Sequence, residues 1–442
     1  MGACRLQQRG LVLSAEFQSI AFDPVDARAT LRQLPEQSAV FALYGEAANA
    51  EPYIGRTPNL RGRLERLLQP SPKHPRRLQL AGRVRRIAWR LTGSDFESLL
   101  LQFDLLQNQY GPKALERMHL GAPSFVRFLG GNPYPRLTIT NRPSLREADW
   151  SYGPFASRAA AERFADEALK LFLLRRCTEE LDPDPSHPGC VYSEMKMCLA
   201  PCYRGCTDER YADESANVER FLATRGDSRL VQLKSKRDEA SAALEFESAA
   251  ALHAQVQKVE AVRGLAPELV RPLSQLRAVI FQASAQSDEV AVFLYDHGRL
   301  CGPAAFSTLG MRIQNEQSGS SSLFAQPMAI EPVLESTPPV TPEPSAPTTP
   351  DAPQRIPRSL LEARMEAVLA SLAPPSEPPS ATVRQGHLSL LKRWYYRPEV
   401  KRLGEICFPD ASGAWPIKSL LRSVGRVAAK SLIGTPHSSP AP

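Results

Sequence analysis

Five cysteines fall within 30 residues of one another, Cys177, Cys190, Cys198, Cys202 and Cys206, while Cys4, Cys301 and Cys407 stand alone. Thiolates at this density, spaced x12, x7, x3 and x3, can close around a [4Fe–4S] cluster or a tetrahedral zinc ion, and the spacing does not choose between them. The amino terminus, MGACRLQQRG, lacks a basic flank followed by an apolar core. A local cluster in a chain without an export signal points to a metal site in a reducing, cytoplasmic setting rather than to disulfides.

A second set lies near the front: Tyr44, Tyr53, Arg56 and Arg63. Cutting a phosphodiester requires an activated water, a group that accepts its proton, and cations that neutralise the charge building on the oxygens. Two phenols on adjacent strands can sit near one another, and a neighbouring arginine can lower the pKa of one of them so that it acts as a base. Arg63 follows Arg56 by about two helical turns, so both can face one phosphate. Mg²⁺ would further require a carboxylate.

The elements that must position these groups are legible. Val40–Tyr44 and Pro52–Ile54 flank a Gly/Ala/Asn stretch and read as a β-hairpin. Thr57-Pro58-Asn59 then signals a helix start, and Leu60, Leu64, Leu67 and Leu68 place one face of that helix in a core. Val84–Leu91 is strand-like, Asp95–Leu106 is a second helix, and Pro135–Thr140 alternates as a further strand. Together these describe a small α+β domain.

The hairpin and helix resemble the GIY-YIG nuclease domain, with Ala42-Leu43-Tyr44 and Tyr53-Ile54-Gly55 at the two name-giving motifs. Arg56-x-x-Asn59-Leu60-Arg61-x-Arg63 is similar to the first-helix signature of the UvrC branch, and Tyr152-Gly153-Pro154-Phe155 and Leu171-Phe172-x-Leu174-Arg175-x-Cys177 resemble UvrC segments in the same order. The likeness covers roughly residues 38–265. It implies incision of damaged double-stranded DNA in bacterial nucleotide excision repair, in concert with UvrB, with Tyr44, Tyr53, Arg56 and Arg63 catalytic, Arg61 on DNA, and Mg²⁺ or Mn²⁺ as cofactor. The pattern departs at three positions. Gln102 stands where the family has its metal-binding Glu, Leu115 replaces an Asn, and Ala42 replaces the first glycine. A neutral amide binds Mg²⁺ far more weakly than a carboxylate. Glu97 and Asp104 lie roughly 140° and 200° around the helix from Gln102. The alternative is therefore a catalytically impaired DNA- or UvrB-binding accessory protein of the same ancestry.

Pro188-Gly189-Cys190-x-Tyr192 and Lys196-Met197-Cys198-Leu199-Ala200-Pro201-Cys202 resemble the UvrC iron–sulfur segment. That likeness implies Cys177, Cys190, Cys198 and Cys202 as ligands of a [4Fe–4S] cluster, with zinc as alternative and Cys206 spare. Leu244–Val256 resembles the UVR motif, the helical hairpin that docks UvrB, and Phe246, Ala249, Leu252 and Val256 fall on one helix face.

In the tail, Lys392-Arg393-Trp394-Tyr395-Tyr396-Arg397, with Lys401 and Arg402, interleaves cations and aromatics. Such a run grips phosphate and stacks bases, which would make Lys392, Arg393 and Trp394 DNA contacts; alternatively the aromatics form a small core with a basic rim. The net charge of +7 fits a polyanionic partner. No run of 18 apolar residues occurs, which argues against a membrane span. Forty prolines among 442 residues are about twice the usual share, and ten of them lie in residues 316–357.

The expected organisation is thus an N-terminal extension (1–37), a GIY-YIG-like domain (38–142), a cysteine-cluster segment (143–208), a helical hairpin (209–265) and a β-rich region (266–315). A disordered linker (316–357) and a basic C-terminal region (358–442) follow.

Overall fold

The computed structural model describes residues 17–47, 50–69, 80–309, 311 and 356–434. Most of the proline-rich stretch expected to be a disordered linker lies outside the described residues. The architecture is α+β, with three four-stranded antiparallel sheets.

The first sheet is built from β1 (Gln18–Ala21), β2 (Ala39–Tyr44), β3 (Tyr53–Thr57) and β4 (Arg86–Leu91), in the order β1-β4-β2-β3. Helices α1 (Ala27–Arg32) and α2 (Leu60–Leu68) cover one face. Leu60, Leu64, Leu67 and Leu68 all pack there against Phe41, Leu43, Ile87 and Trp89, as the leucine spacing requires. Asn59 caps α2 by accepting a hydrogen bond from the Gly62 amide at 2.7 Å. Helix α3 (Asp95–Tyr110), capped by Ser94 and followed by the short α4 (Ala114–Arg117), lies on the opposite face. The domain starts earlier than residue 38. Strand β1 pairs with β4, and Phe22, Leu31 and Leu34 are buried in the same core, so apolar residues of the supposed extension complete it.

The second sheet contains β5 (Ser124–Phe128), β6 (Leu137–Thr140), β7 (Ser151–Phe155) and β8 (Arg271–Pro272), in the order β6-β5-β7-β8. The strand expected near Pro135–Thr140 is present, but it pairs with β5 rather than with the front sheet, because Ile139 and Val126 share the core of the following helices. Those helices are α5 (Arg158–Leu169), α6 (Val191–Glu194), α7 (Asp208–Ala223), α8 (Asp227–Ala242) and α9 (Phe246–Gly264). Helices α8 and α9 form the expected hairpin.

In the third sheet β9 (Ala278–Ala283), β10 (Glu289–Asp296) and β11 (Arg299–Ser307) make a meander. Helices α10 (Arg358–Ser371) and α11 (Ala381–Tyr395), strand β12 (Glu405–Cys407) and helix α12 (Ile417–Gly434) follow. Strand β12 pairs with β9, so the β-rich region and the C-terminal region share one sheet. Alternation along β9 and β10 sends Val279, Phe281, Val290 and Val292 toward α10 and α12, and Ile280, Ala291, Phe293 and Tyr295 toward α3 and α11. Helix α3 therefore carries a core shared between the first and third sheets. No helix among the described residues is long and apolar enough to cross a membrane.

Candidate functional site

Register decides where the front residues point. Across β2 and β3, Leu43 pairs with Tyr53, Ala42 with Ile54, and Val40 with Arg56. Successive residues of a strand face opposite ways. Tyr53 therefore lies with Phe41, 6.1 Å between ring centroids, on the α2 side, while Arg56 points to the α3 side. Tyr44, one residue beyond Leu43, also points to the α3 side and pairs with Arg86 of β4, whose guanidinium sits 4.0 Å from the ring centroid. The two phenols expected to meet are thus on opposite faces.

Tyr44 also differs from the expected base in its electrostatics. Burial pushes its pKa up, and the Arg86 charge offsets this only in part. Its hydroxyl is buried without a hydrogen-bond partner.

Arg56 donates to the carboxylate of Asp95, the first residue of α3, and the same carboxylate accepts from Arg397 at 2.6 Å. Burial raises the Asp95 pKa, but the Arg397 hydrogen bond and the Arg56 charge outweigh it and hold the carboxyl below its ordinary value. Arg63 is half-buried on α2, the helix over the other face, so it does not share the Arg56 environment. Arg61 is spent internally: it donates to the Leu34 carbonyl at 2.8 Å and to Glu36 at 2.5 Å, tying α2 to the segment after α1. This position, expected on DNA, is a strut.

Gln102 is half-buried on α3. Asp95 precedes it by seven residues, about two turns, and so occupies the same stripe of the helix about 10 Å away. At the far end of that stretch the Tyr110 hydroxyl donates to the Pro52 carbonyl at 3.0 Å. The stripe bearing Gln102 therefore runs along β3. Leu115 packs against the core shared with the third sheet.

Asp95 and Arg397 were invisible as a pair, since 302 residues separate them. The one signal was the basic run at 392–397, and within it the roles differ from expectation. Trp394 is 2% exposed, lies 5.4 Å from Phe96 between ring centroids, and donates its indole N–H to the Leu403 carbonyl at 3.0 Å. It cannot stack a base, and the core alternative holds for it. Lys392 is half-buried, with its pKa lowered by that burial, and Arg393 is exposed.

The cysteine segment is a succession of tight turns, with left-handed backbone at Gly189, Lys196, Ala200 and Arg204. Cys202 is buried; Cys177, Cys190, Cys198 and Cys206 are half-buried and unpaired. Burial pushes the Cys198 thiol up to about 11, and the nearby Cys177, Cys190 and Cys202 sulfurs add to that rise. The Ala200 amide donates to the Cys198 Sγ at 3.3 Å, and Arg175, itself 1% exposed, places a guanidinium N–H 3.6 Å from the Cys177 Sγ. Among the described residues no group of three or more His, Cys, Asp or Glu side chains converges closely enough to hold a metal ion as placed. The structure thus brings Cys177, Cys190 and Cys202 near enough to act on Cys198, with Arg175 and the Ala200 amide donating to sulfur, without closing a donor set. Arg175 as a partner of Cys177 was not foreseen.

The hairpin divides along its length. Leu244 and Phe246 at its turn are 71% and 67% exposed, whereas Val256, Val259 and Val262 are buried in the chain's own core and Leu252 packs partly against it. Val256, expected on the partner-binding face, is thus not accessible, while Phe246 and Ala249 are exposed or half-exposed.

Known proteins match this central part. A family model described as UvrC/Cho excinuclease, middle domain, matches residues 126–221, and one described as UvrB/uvrC motif matches residues 227–262. The UvrABC system protein C of Ruminiclostridium cellulolyticum is 27% identical over 301 residues, which is 67% of this chain and 48% of that protein. Its counterpart in Alcanivorax borkumensis is 29% identical over 211 residues, 48% of this chain and 34% of that protein. That of Shigella dysenteriae is 30% identical over 243 residues, 54% of this chain and 41% of that protein. The chain therefore spans about half or less of the length of these relatives and is UvrC-like across its middle domain and UVR motif. No solved structure gives a significant match.

Proposed function

We propose that this chain serves in nucleotide excision repair as a UvrC-type subunit that binds double-stranded DNA and docks a UvrB-like helicase subunit, with a front domain of GIY-YIG ancestry impaired in incision. The observation that carries the reading is the unbroken order of middle domain and UVR motif over residues 126–262, where the exposed Phe246 at the hairpin turn offers an aromatic anchor to a partner. The amide at Gln102 and the opposite facing of Tyr44 and Tyr53 support impairment. Cys177, Cys190, Cys198 and Cys202 would hold a [4Fe–4S] cluster, or zinc, which would pin a turn-rich segment that has little core of its own.

A second reading, incision by the front domain as an active GIY-YIG endonuclease with Mg²⁺ or Mn²⁺, is favoured by Asp95, a carboxylate on the same stripe of α3 as Gln102. Cleavage of a lesion-bearing duplex with UvrB and Mg²⁺ or Mn²⁺ separates the two. Absence of cutting by the wild type with a gain in Gln102→Glu supports the impaired subunit; robust wild-type cutting abolished by Tyr53→Phe overturns it.

A further inference from the structure

Two arginines from distant parts of the chain converge on one carboxylate at the amino-terminal end of α3. Arg56 leaves the front sheet at the end of β3, Arg397 leaves the tail just after α11, and both donate to Asp95. Their side chains are 32% and 27% exposed, and that of Asp95 is 41% exposed, so the cluster is open to solvent on one side.

The tail arginine is held in place. Tyr396 donates its hydroxyl to the Pro154 carbonyl at 2.9 Å, the Arg397 amide donates to the Trp394 carbonyl at 3.2 Å, and Trp394 packs at a tilt against Phe96, the residue after Asp95. Side-chain entropy has already been lost before any ligand arrives.

We propose that Arg56 and Arg397 form a two-guanidinium clamp for one phosphodiester of the DNA backbone, with Asp95 as the positioning residue that spaces them. The proposal rests on the DNA-binding reading above and names the tail as part of that surface. Two guanidinium groups and one carboxylate leave a net charge of +1, which one phosphodiester neutralises. Each guanidinium offers about five N–H donors, and a single carboxylate accepts only a fraction of the pair's donors. The remainder can take the non-bridging oxygens in the forked geometry that favours Arg over Lys. Partly exposed ion pairs are weak, so a phosphate can share the donors without a large loss. The positive end of the α3 dipole adds favourable partial charge.

The test uses the full chain, a short fluorescent DNA duplex and anisotropy titrations across a salt series, with thermal melting of each variant. Arg56→Ala and Arg397→Ala should each weaken binding about tenfold and reduce the salt slope by about one, and Arg397→Lys should recover only part of the loss. Asp95→Asn keeps a side-chain oxygen between the two guanidiniums while removing the competing charge and should tighten binding at low salt, whereas Asp95→Ala, which removes the spacer, should weaken it; tighter binding in Asp95→Ala would overturn the positioning role. Unchanged affinity and slope in Arg397→Ala, with only a lower melting temperature, would overturn the clamp and leave Arg397 a structural strut. If the wild type binds no duplex, the DNA-binding reading fails, and the clamp is judged separately with inorganic phosphate. Phosphate should raise the melting temperature of the wild type and not of the Arg56→Ala/Arg397→Ala double variant; no such difference rejects the clamp as well.

Discussion

Tyr44 and Tyr53 stand on opposite faces of one sheet, because Tyr53 pairs across the hairpin with Leu43 and not with its neighbour. The Tyr44 hydroxyl is buried and unpartnered, and its pKa is raised chiefly by that burial. Tyr44→Phe should therefore leave stability unchanged or raise it by up to about 1 kcal/mol, since an unsatisfied buried hydroxyl is removed. Tyr44→Ala, which loses the ring beneath Arg86, should destabilise the front domain. Denaturant melts of both variants check this, and a marked loss in Tyr44→Phe would show that the hydroxyl has work to do.

Trp394 belongs to the core that joins α3, α11 and the third sheet. Trp394→Ala should cost about 3–5 kcal/mol, the range for emptying a buried aromatic site. Arg393→Ala, at an exposed position one residue away, should change stability by less than about 0.5 kcal/mol. Equal melts for the two variants would contradict the placement of Trp394.

The α8–α9 hairpin should separate folding from docking. Phe246→Ala at the exposed turn should leave the melting temperature nearly unchanged and lower affinity for UvrB. Val256→Ala should instead destabilise the chain by about 1–3 kcal/mol, since that side chain is 2% exposed within its own core. Calorimetric titration with UvrB together with thermal melts measures both, and the reverse pattern would place the partner face on the other half of the helix.

Local pattern made much of this architecture legible. The leucine spacing of α2, its Thr57-Pro58-Asn59 start and the hairpin of β2 and β3 each follow from residues close in sequence. What depends on distant pairing was not legible. Strand β6 has the same alternation whichever sheet it joins, and only the pairing of Ile139 with Val126 assigns it. Strand β12 has three residues, too few to carry a period, yet it closes the third sheet beside β9. Residue chemistry misled at Trp394, because an aromatic among cations satisfies a core and a base-stacking surface equally well. At the site, Arg56 stood out in the sequence, but its partner Asp95 reads as an ordinary first-turn acid.

The ties from Asp95 to Arg56 and Arg397 make stability depend on acid in a defined direction. Because the folded-state pKa of Asp95 lies below the reference value of 3.8, its contribution is fully present above that value and fades as pH falls through the folded-state pKa. The wild type should thus melt above Asp95→Asn at neutral pH, with the two curves converging below about pH 4. A constant gap across an acid series would mean that the carboxylate charge contributes nothing to these contacts.

Metal content should follow Cys198 and the three sulfurs that act on it, Cys177, Cys190 and Cys202. Burial raises the Cys198 pKa to about 11, so at neutral pH the metal-free thiol keeps its proton, and a thiophilic centre must displace it on binding. Cys198→Ser and Cys202→Ser should each abolish incorporation during anaerobic reconstitution with iron and sulfide, read as iron and sulfide per chain and as visible absorbance. Cys206→Ser should retain both, because the family resemblance leaves it outside the ligand set. Arg175→Met keeps much of the buried volume but removes the guanidinium 3.6 Å from the Cys177 Sγ, and should loosen the centre toward chelators. Retention of iron in Cys198→Ser with loss in Cys206→Ser would move the fourth ligand to Cys206, and zinc in place of iron with no visible absorbance would make the site tetrahedral zinc.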